Sequence, residues 1–61
     1  MSELMVNKEA AVYLRISADT LRRWRSKGSG PRYIKINGRI LYRRRDLERF
    51  LDLNECGATA A

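Results

Sequence analysis

Eleven of the thirteen lysines and arginines in this 61-residue chain fall between Arg15 and Arg45, with one acid, Asp19, among them. That segment carries +10 and the ends carry −4, which leaves +6 overall. A guanidinium presents its N–H donors in a rigid fork. Arginine at this density therefore suits paired hydrogen bonds to phosphate oxygens or to O6 and N7 of guanine. Uncompensated like charge opposes a compact state, and a polyanion relieves it. Nucleic acid and an anionic membrane surface are the two partners this balance points to.

Other chemistry is poorly supplied. There is no histidine for acid–base work and no Cys–His pair for nucleophilic catalysis. Gly28-Ser29-Gly30 lacks the strand–loop–helix setting and the Lys-Ser/Thr ending of a phosphate loop. The one cysteine, Cys56, cannot form an internal disulfide, and no zinc spacing exists, which fits a reducing cytosol. The expectation is no enzyme, no metal, no cofactor and no role for Cys56. The apolar runs are three or four residues at most, so no signal peptide or transmembrane segment is expected. A chain this short buries only about 60% of its unfolded surface and forms one marginal domain.

The elements that must position the cations follow from local signals. Leu4-Met5-Val6 reads as a short apolar lead-in. Asn7 is a good N-cap for a helix over Lys8 to Leu14, with Glu9 in its first turn and Ala10, Tyr13 and Leu14 facing inward. Arg15-Ile16 makes a tight connection. Ser17 caps a second helix that carries Asp19 in its first turn and runs through about Lys27, where Gly28 supplies a left-handed C′ position. Tyr33 to Ile36 and Arg39 to Tyr42 are β-prone runs joined by Asn37-Gly38, a hairpin signal.

Two hairpin registers are open. A two-residue turn pairs Ile36 with Arg39 and Ile34 with Leu41, which splits the aliphatics between faces. A turn with Gly38 as a bulge gathers Ile34, Ile40 and Tyr42 on one face and leaves Lys35, Arg39 and Leu41 on the other. The bulged register is preferred because one clean apolar face fixes register, although it leaves Leu41 exposed. A third helix spans Arg44 to about Leu53, with Leu47, Phe50 and Leu51 inward. The fold class is mainly α with a β-hairpin. Residues 1–53 form the domain and 54–61 a flexible tail.

On the second helix, at about 100° per residue, Leu21 and Trp24 point one way. Asp19, Arg22, Arg23 and Ser26 point the other, with Ala18 and Lys27 flanking. A helix docked in a DNA major groove needs that split. Trp24 is read as a core anchor, and Tyr33 and Tyr42 as packing. The hairpin tip offers Lys35, Asn37, Gly38 and Arg39 to a phosphate or the minor groove. Arg43-Arg44-Arg45 opposes the dipole of the third helix, a local cost that phosphate would relieve.

The pattern Asn7-Lys8-Glu9-Ala10-Ala11-Val12-Tyr13-Leu14-Arg15-Ile16-Ser17, followed by Thr20-Leu21 and Trp24, resembles the excisionase and AlpA-like small helix-turn-helix proteins. Gly30-Pro31-Arg32-Tyr33-Ile34-Lys35-Ile36 and Tyr42-Arg43-Arg44-Arg45-Asp46-Leu47 fit the same family, so the likeness spans roughly residues 4 to 53. The resemblance implies a winged helix-turn-helix of the MerR-like type in a bacterial or phage protein of the cytoplasm and nucleoid. It implies a recombination directionality factor that binds double-stranded DNA repeats side by side, bends them and recruits a tyrosine-type integrase. Other members regulate transcription at promoters.

Its recognition-helix contacts fall on Ser17, Ala18, Thr20, Arg22, Arg23 and Arg25, and its wing contacts on Lys35, Asn37 and Arg39. Helical arithmetic places Arg25 nearer the core edge. The full expected interface is Ser17, Ala18, Asp19, Thr20, Arg22, Arg23, Arg25, Ser26 and Lys27 on the helix. It adds Arg32, Lys35, Asn37, Gly38 and Arg39 on the wing, and Arg43, Arg44 and Arg45 at phosphates. A small protein-interaction module without DNA binding is the alternative of another class. RNA or membrane binding is disfavoured, because no exposed aromatic platform or lipid-facing apolar stripe can be drawn.

Overall fold

A computed structural model describes residues 4–56. The chain order is β1 (Leu4–Val6), α1 (Asn7–Leu14), α2 (Ala18–Ser26), β2 (Ile34–Ile36), β3 (Arg39–Arg43) and α3 (Arg44–Leu53). The strands form one antiparallel sheet in the order β1-β3-β2. This is a winged helix-turn-helix: three helices and a small sheet whose hairpin is the wing.

The lead-in at Leu4-Met5-Val6 is a strand. It pairs Leu4 with Arg43, Met5 with Tyr42 and Val6 with Leu41, so the wing has three strands at its base. Three residues are too few to show a period; the partner strand defines β1.

The hairpin takes the two-residue register, not the bulged one. Ile36 pairs with Arg39, Lys35 with Ile40 and Ile34 with Leu41. Asn37 and Gly38 both have positive φ, at 54° and 78°. That is the type I′ geometry, whose twist matches the flanking strands. Turn chemistry overrides the sorting of aliphatics because the sheet does not need one clean face. Ile40, Tyr42 and Met5 serve the core, while Ile34, Leu41, Val6 and Leu4 line the outer face. Leu41 is half-buried rather than exposed, since it sits in the central strand between Val6 and Ile34.

Helix α1 is capped by Val6, not Asn7: the Val6 N–H donates to Glu9 Oε1 at 3.1 Å. Asn7 already lies in the helix, and its side chain is used elsewhere. The C-terminus closes with Arg15 N–H to Val12 O and Ile16 N–H to Ala11 O, both at 3.0 Å. Arg15 adopts φ 62° there, in the left-handed region that glycine normally fills.

Ala10, Ala11, Leu21, Tyr42 and Leu47 are the buried core, with Met5, Tyr13, Leu14, Ile16, Trp24 and Ile40 packed on it. Two alanines side by side let α1 approach its neighbours closely. Helix α3 rests on this core through Leu47 and, against Trp24, through Phe50. Leu51, expected inward, is 44% exposed. The core is too narrow to cover three positions of the stripe. Asn54 Nδ2 donates to Phe50 O at 2.8 Å and closes α3. Asn54, Glu55 and Cys56 are exposed; the rest of the expected tail lies outside the described residues.

Candidate nucleic-acid interface

Helix α2 is fixed at both ends by its own sequence. Ser17 Oγ accepts the Thr20 N–H at 3.1 Å and donates to Thr20 Oγ1 at 2.8 Å. At the other end Gly28 N–H donates to Arg25 O and Ser29 N–H to Trp24 O, a Schellman closure with Gly28 at φ 76°. The apolar side is locked too. Leu21 is buried, and the Trp24 ring lies 5.6 Å from that of Phe50. Trp24 thus packs inward as its spacing predicts. Gly30, at φ 91°, runs directly over Trp24: a Cβ there would sit 3.1 Å from Trp24 Cβ.

Ser17, Ala18, Asp19, Arg22, Arg23, Ser26 and Lys27 are all exposed, and Thr20 is half-buried. Within this face Asp19 and Arg22 form an ion pair, and Arg23 Nη2 donates to Thr20 Oγ1 at 3.4 Å. Arg22 and Arg23 are therefore held over the first turns of the helix, pointing along one surface.

Arg25 leaves that surface. It is half-buried, and its Nη1 donates to Asn7 Oδ1 at 2.8 Å and to the Tyr42 hydroxyl at 3.0 Å. Its guanidinium also lies 5.8 Å from the centre of the Tyr33 ring, which stands 6.2 Å from that of Tyr42. Asn7 Nδ2 meanwhile donates to Ala18 O at 3.3 Å. One cluster thus ties the start of α1 to both ends of α2 and to the wing. The core-edge position from helical arithmetic is where Arg25 stands; Tyr42 is buried, while Tyr33 leans on its ring and stays 45% exposed.

On the wing Lys35, Asn37, Gly38 and Arg39 are exposed; Arg32, expected with them, is exposed in the connection between α2 and β2 instead. The two-residue register separates two cations expected on one face. Lys35 shares a face with Ile40, and Arg39 shares the opposite one with Ile36. They flank the hairpin like prongs.

The arginine triplet divides as well. Arg43 Nη1 lies 3.4 Å from Asp46 Oδ2 and Arg44 Nε 3.3 Å from Glu48 Oε2. Arg45 has no ion-pair partner among the described residues. Arg49, outside the basic segment from Arg15 to Arg45, lies with Arg32, Arg43, Arg45 and Asp46 around one hollow. Its signal was present: it stands four residues after Arg45 on a helix.

Among the described residues no group of His, Cys, Asp and Glu is arranged to hold a metal ion, and no helix is long and apolar enough to cross a membrane. A search of curated proteins found no match to the chain. The model of the helix-turn-helix domain family matches residues 5–52. That span includes the whole hairpin, β1 but for its first residue, and all three helices but for the last residue of α3. The chain belongs to the helix-turn-helix domain family, whose partner is double-stranded DNA.

Proposed function

We propose that the chain is a sequence-reading architectural DNA-binding protein of the excisionase type, a recombination directionality factor of the bacterial cytoplasm. One observation carries the DNA-reading part. The exposed face of α2 bears Arg22, Arg23, Ser26 and Lys27, while its opposite face is anchored by Leu21 and Trp24. A rigid helix with one basic, hydrogen-bonding face is what major-groove docking requires. In this reading Ser17, Ala18, Asp19 and Thr20 approach the base edges with the start of α2. Arg22 and Arg23 contact bases or backbone, and Asp19 accepts from a cytosine amino group. Lys35, Asn37, Gly38 and Arg39 reach the adjacent backbone or minor groove.

The excision part is supported by the family resemblance across Asn7–Ser17, Gly30–Ile36 and Tyr42–Leu47. Copies bind adjacent repeats at an attachment site, bend the DNA and engage a tyrosine-type integrase. The test is a footprint and a bending assay on attachment-site DNA, with and without the integrase. Adjacent protected repeats on bent DNA are expected. A single unbent operator at a promoter would instead make the protein a transcriptional regulator. Unchanged DNA affinity in R22A/R23A would remove α2 as the reader and favour a protein-interaction module.

A further inference from the structure

Four arginine side chains from two parts of the chain line one open hollow of about 440 Å3. Arg32 comes from the connection between α2 and β2; Arg43, Arg45 and Arg49 surround the first turns of α3. One carboxylate, Asp46, completes the lining. Its side chain is 12% exposed and lies 3.4 Å from Arg43, so it holds that guanidinium from within the fold. Arg32, Arg45 and Arg49 are exposed, and none forms an ion pair among the described residues. The hollow thus gathers four positive charges against one negative.

Folding does not ask for this arrangement. Arg45 and Arg49 stand four apart on one side of α3, where like charges repel. Arg43 and Arg45 lie at the helix end that is itself positive. The apolar contacts of α3 run through Leu47 and Phe50 instead. An anion in the hollow would turn each of these costs into a gain.

We propose that the hollow binds phosphodiester groups of the DNA backbone, as a second contact separate from the exposed face of α2. The proposal rests on the DNA-binding reading above. It redraws the basic region: Arg49 joins the interface with Arg32, Arg43 and Arg45, and Arg44 drops out because it does not line the hollow and pairs with Glu48 instead. The lining has no apolar side chain. A docked acidic peptide would need an apolar anchor for affinity, whereas backbone contacts to DNA need only charge and N–H donors.

The test measures affinity for a duplex carrying the protected site, by fluorescence anisotropy over a range of salt. R45A/R49A is compared with K8A/R15A, which removes equal charge outside the hollow, and with R22A/R23A. R45A/R49A is expected to flatten the salt slope by about two, at roughly 0.9 per lost contact. It should weaken specific and non-specific duplexes alike and leave the melting temperature unlowered. R22A/R23A should instead erode discrimination between duplexes. If R45A/R49A binds like the parent, or if K8A/R15A flattens the slope as much, the hollow is no backbone site, while α2-dependent binding stands. If the parent chain binds no duplex, both readings fall.

Discussion

The guanidinium of Arg25 donates to the carboxamide oxygen of Asn7 at 2.8 Å, across eighteen residues of sequence. That bond makes Arg25 a structural residue on a helix whose other arginines face outward. The same nitrogen reaches the Tyr42 hydroxyl at 3.0 Å, so one side chain joins α1, α2 and β3. Hydrogen bonds to a charged group contribute about 1.5–3 kcal/mol when shielded, and less at a half-buried site. We expect R25A to destabilise the fold by about 1–2 kcal/mol, which lowers the melting temperature of a domain this size by roughly 5–15 °C. R25K should rescue it only in part, because the lysine ammonium lacks the reach of Nη1 and the planar face set toward the Tyr33 ring. Thermal unfolding followed by circular dichroism reads both. A melting temperature for R25A equal to the parent's would return Arg25 to the DNA-facing set.

The two glycines that follow α2 separate backbone conformation from close packing. Both have positive φ, at 76° for Gly28 and 91° for Gly30. A Cβ at Gly28 meets nothing within 4 Å, whereas one at Gly30 would press on Trp24 Cβ at 3.1 Å and Cε3 at 3.2 Å. G28A should cost about 1 kcal/mol, the penalty for a left-handed L-residue. G30A should cost clearly more, about 2–3 kcal/mol, because Trp24 must also give way. Chemical denaturation of the two variants checks the order; equal losses would mean that the contact with Trp24 is immaterial.

Arg15 offers the converse. It holds φ 62° at the end of α1, is exposed, and has no side-chain partner among the described residues. Glycine would relieve the left-handed strain at the turn between the two helices, against some gain of entropy in the unfolded chain. R15G is expected to stabilise the protein by about 0.5–1 kcal/mol, raising the melting temperature by a few degrees. A lower melting temperature would show that the Arg15 side chain contributes something beyond its backbone.

These residues mark what could be read from sequence. Ser17, Gly28 and Asn37-Gly38 act through their own backbone and their nearest neighbours, so the bounds of α2 and the presence of the hairpin follow directly. The inward turn of Trp24 followed from its three-residue spacing from Leu21. Of the features that escaped, one depends on a partner far along the chain. β1 exists because β3 pairs with it, and Leu41 is half-covered for the same reason. The preference for a bulged register assumed a wing with one buried face, and the left-handed pair Asn37-Gly38 settled the register by turn geometry instead. Arg43 and Arg44 looked equivalent to Arg45 until Asp46 and Glu48 were seen to hold them. The signal lay in the spacing: Asp46 stands three residues after Arg43 and Glu48 four after Arg44, whereas Arg49 stands four after Arg45.

The ion pair between Asp19 and Arg22 lies within the exposed face of α2. Both side chains are 62% exposed and three residues apart on α2, so the pair contributes little to stability. Its effect is on charge at the face proposed to meet DNA. While Asp19 holds Arg22, that arginine is restrained, and the carboxylate repels nearby phosphates. D19N should leave the melting temperature nearly unchanged and release Arg22. Affinity for non-cognate duplex should then rise, with a salt slope steeper by about one contact's worth, roughly 0.9. Discrimination in favour of the cognate site should fall, because a carboxylate that penalises wrong sequences has been lost. Anisotropy titrations on cognate and scrambled duplexes measure both quantities. If D19N weakens both duplexes equally, Asp19 serves to aim Arg22, and repulsion of phosphate is not its role.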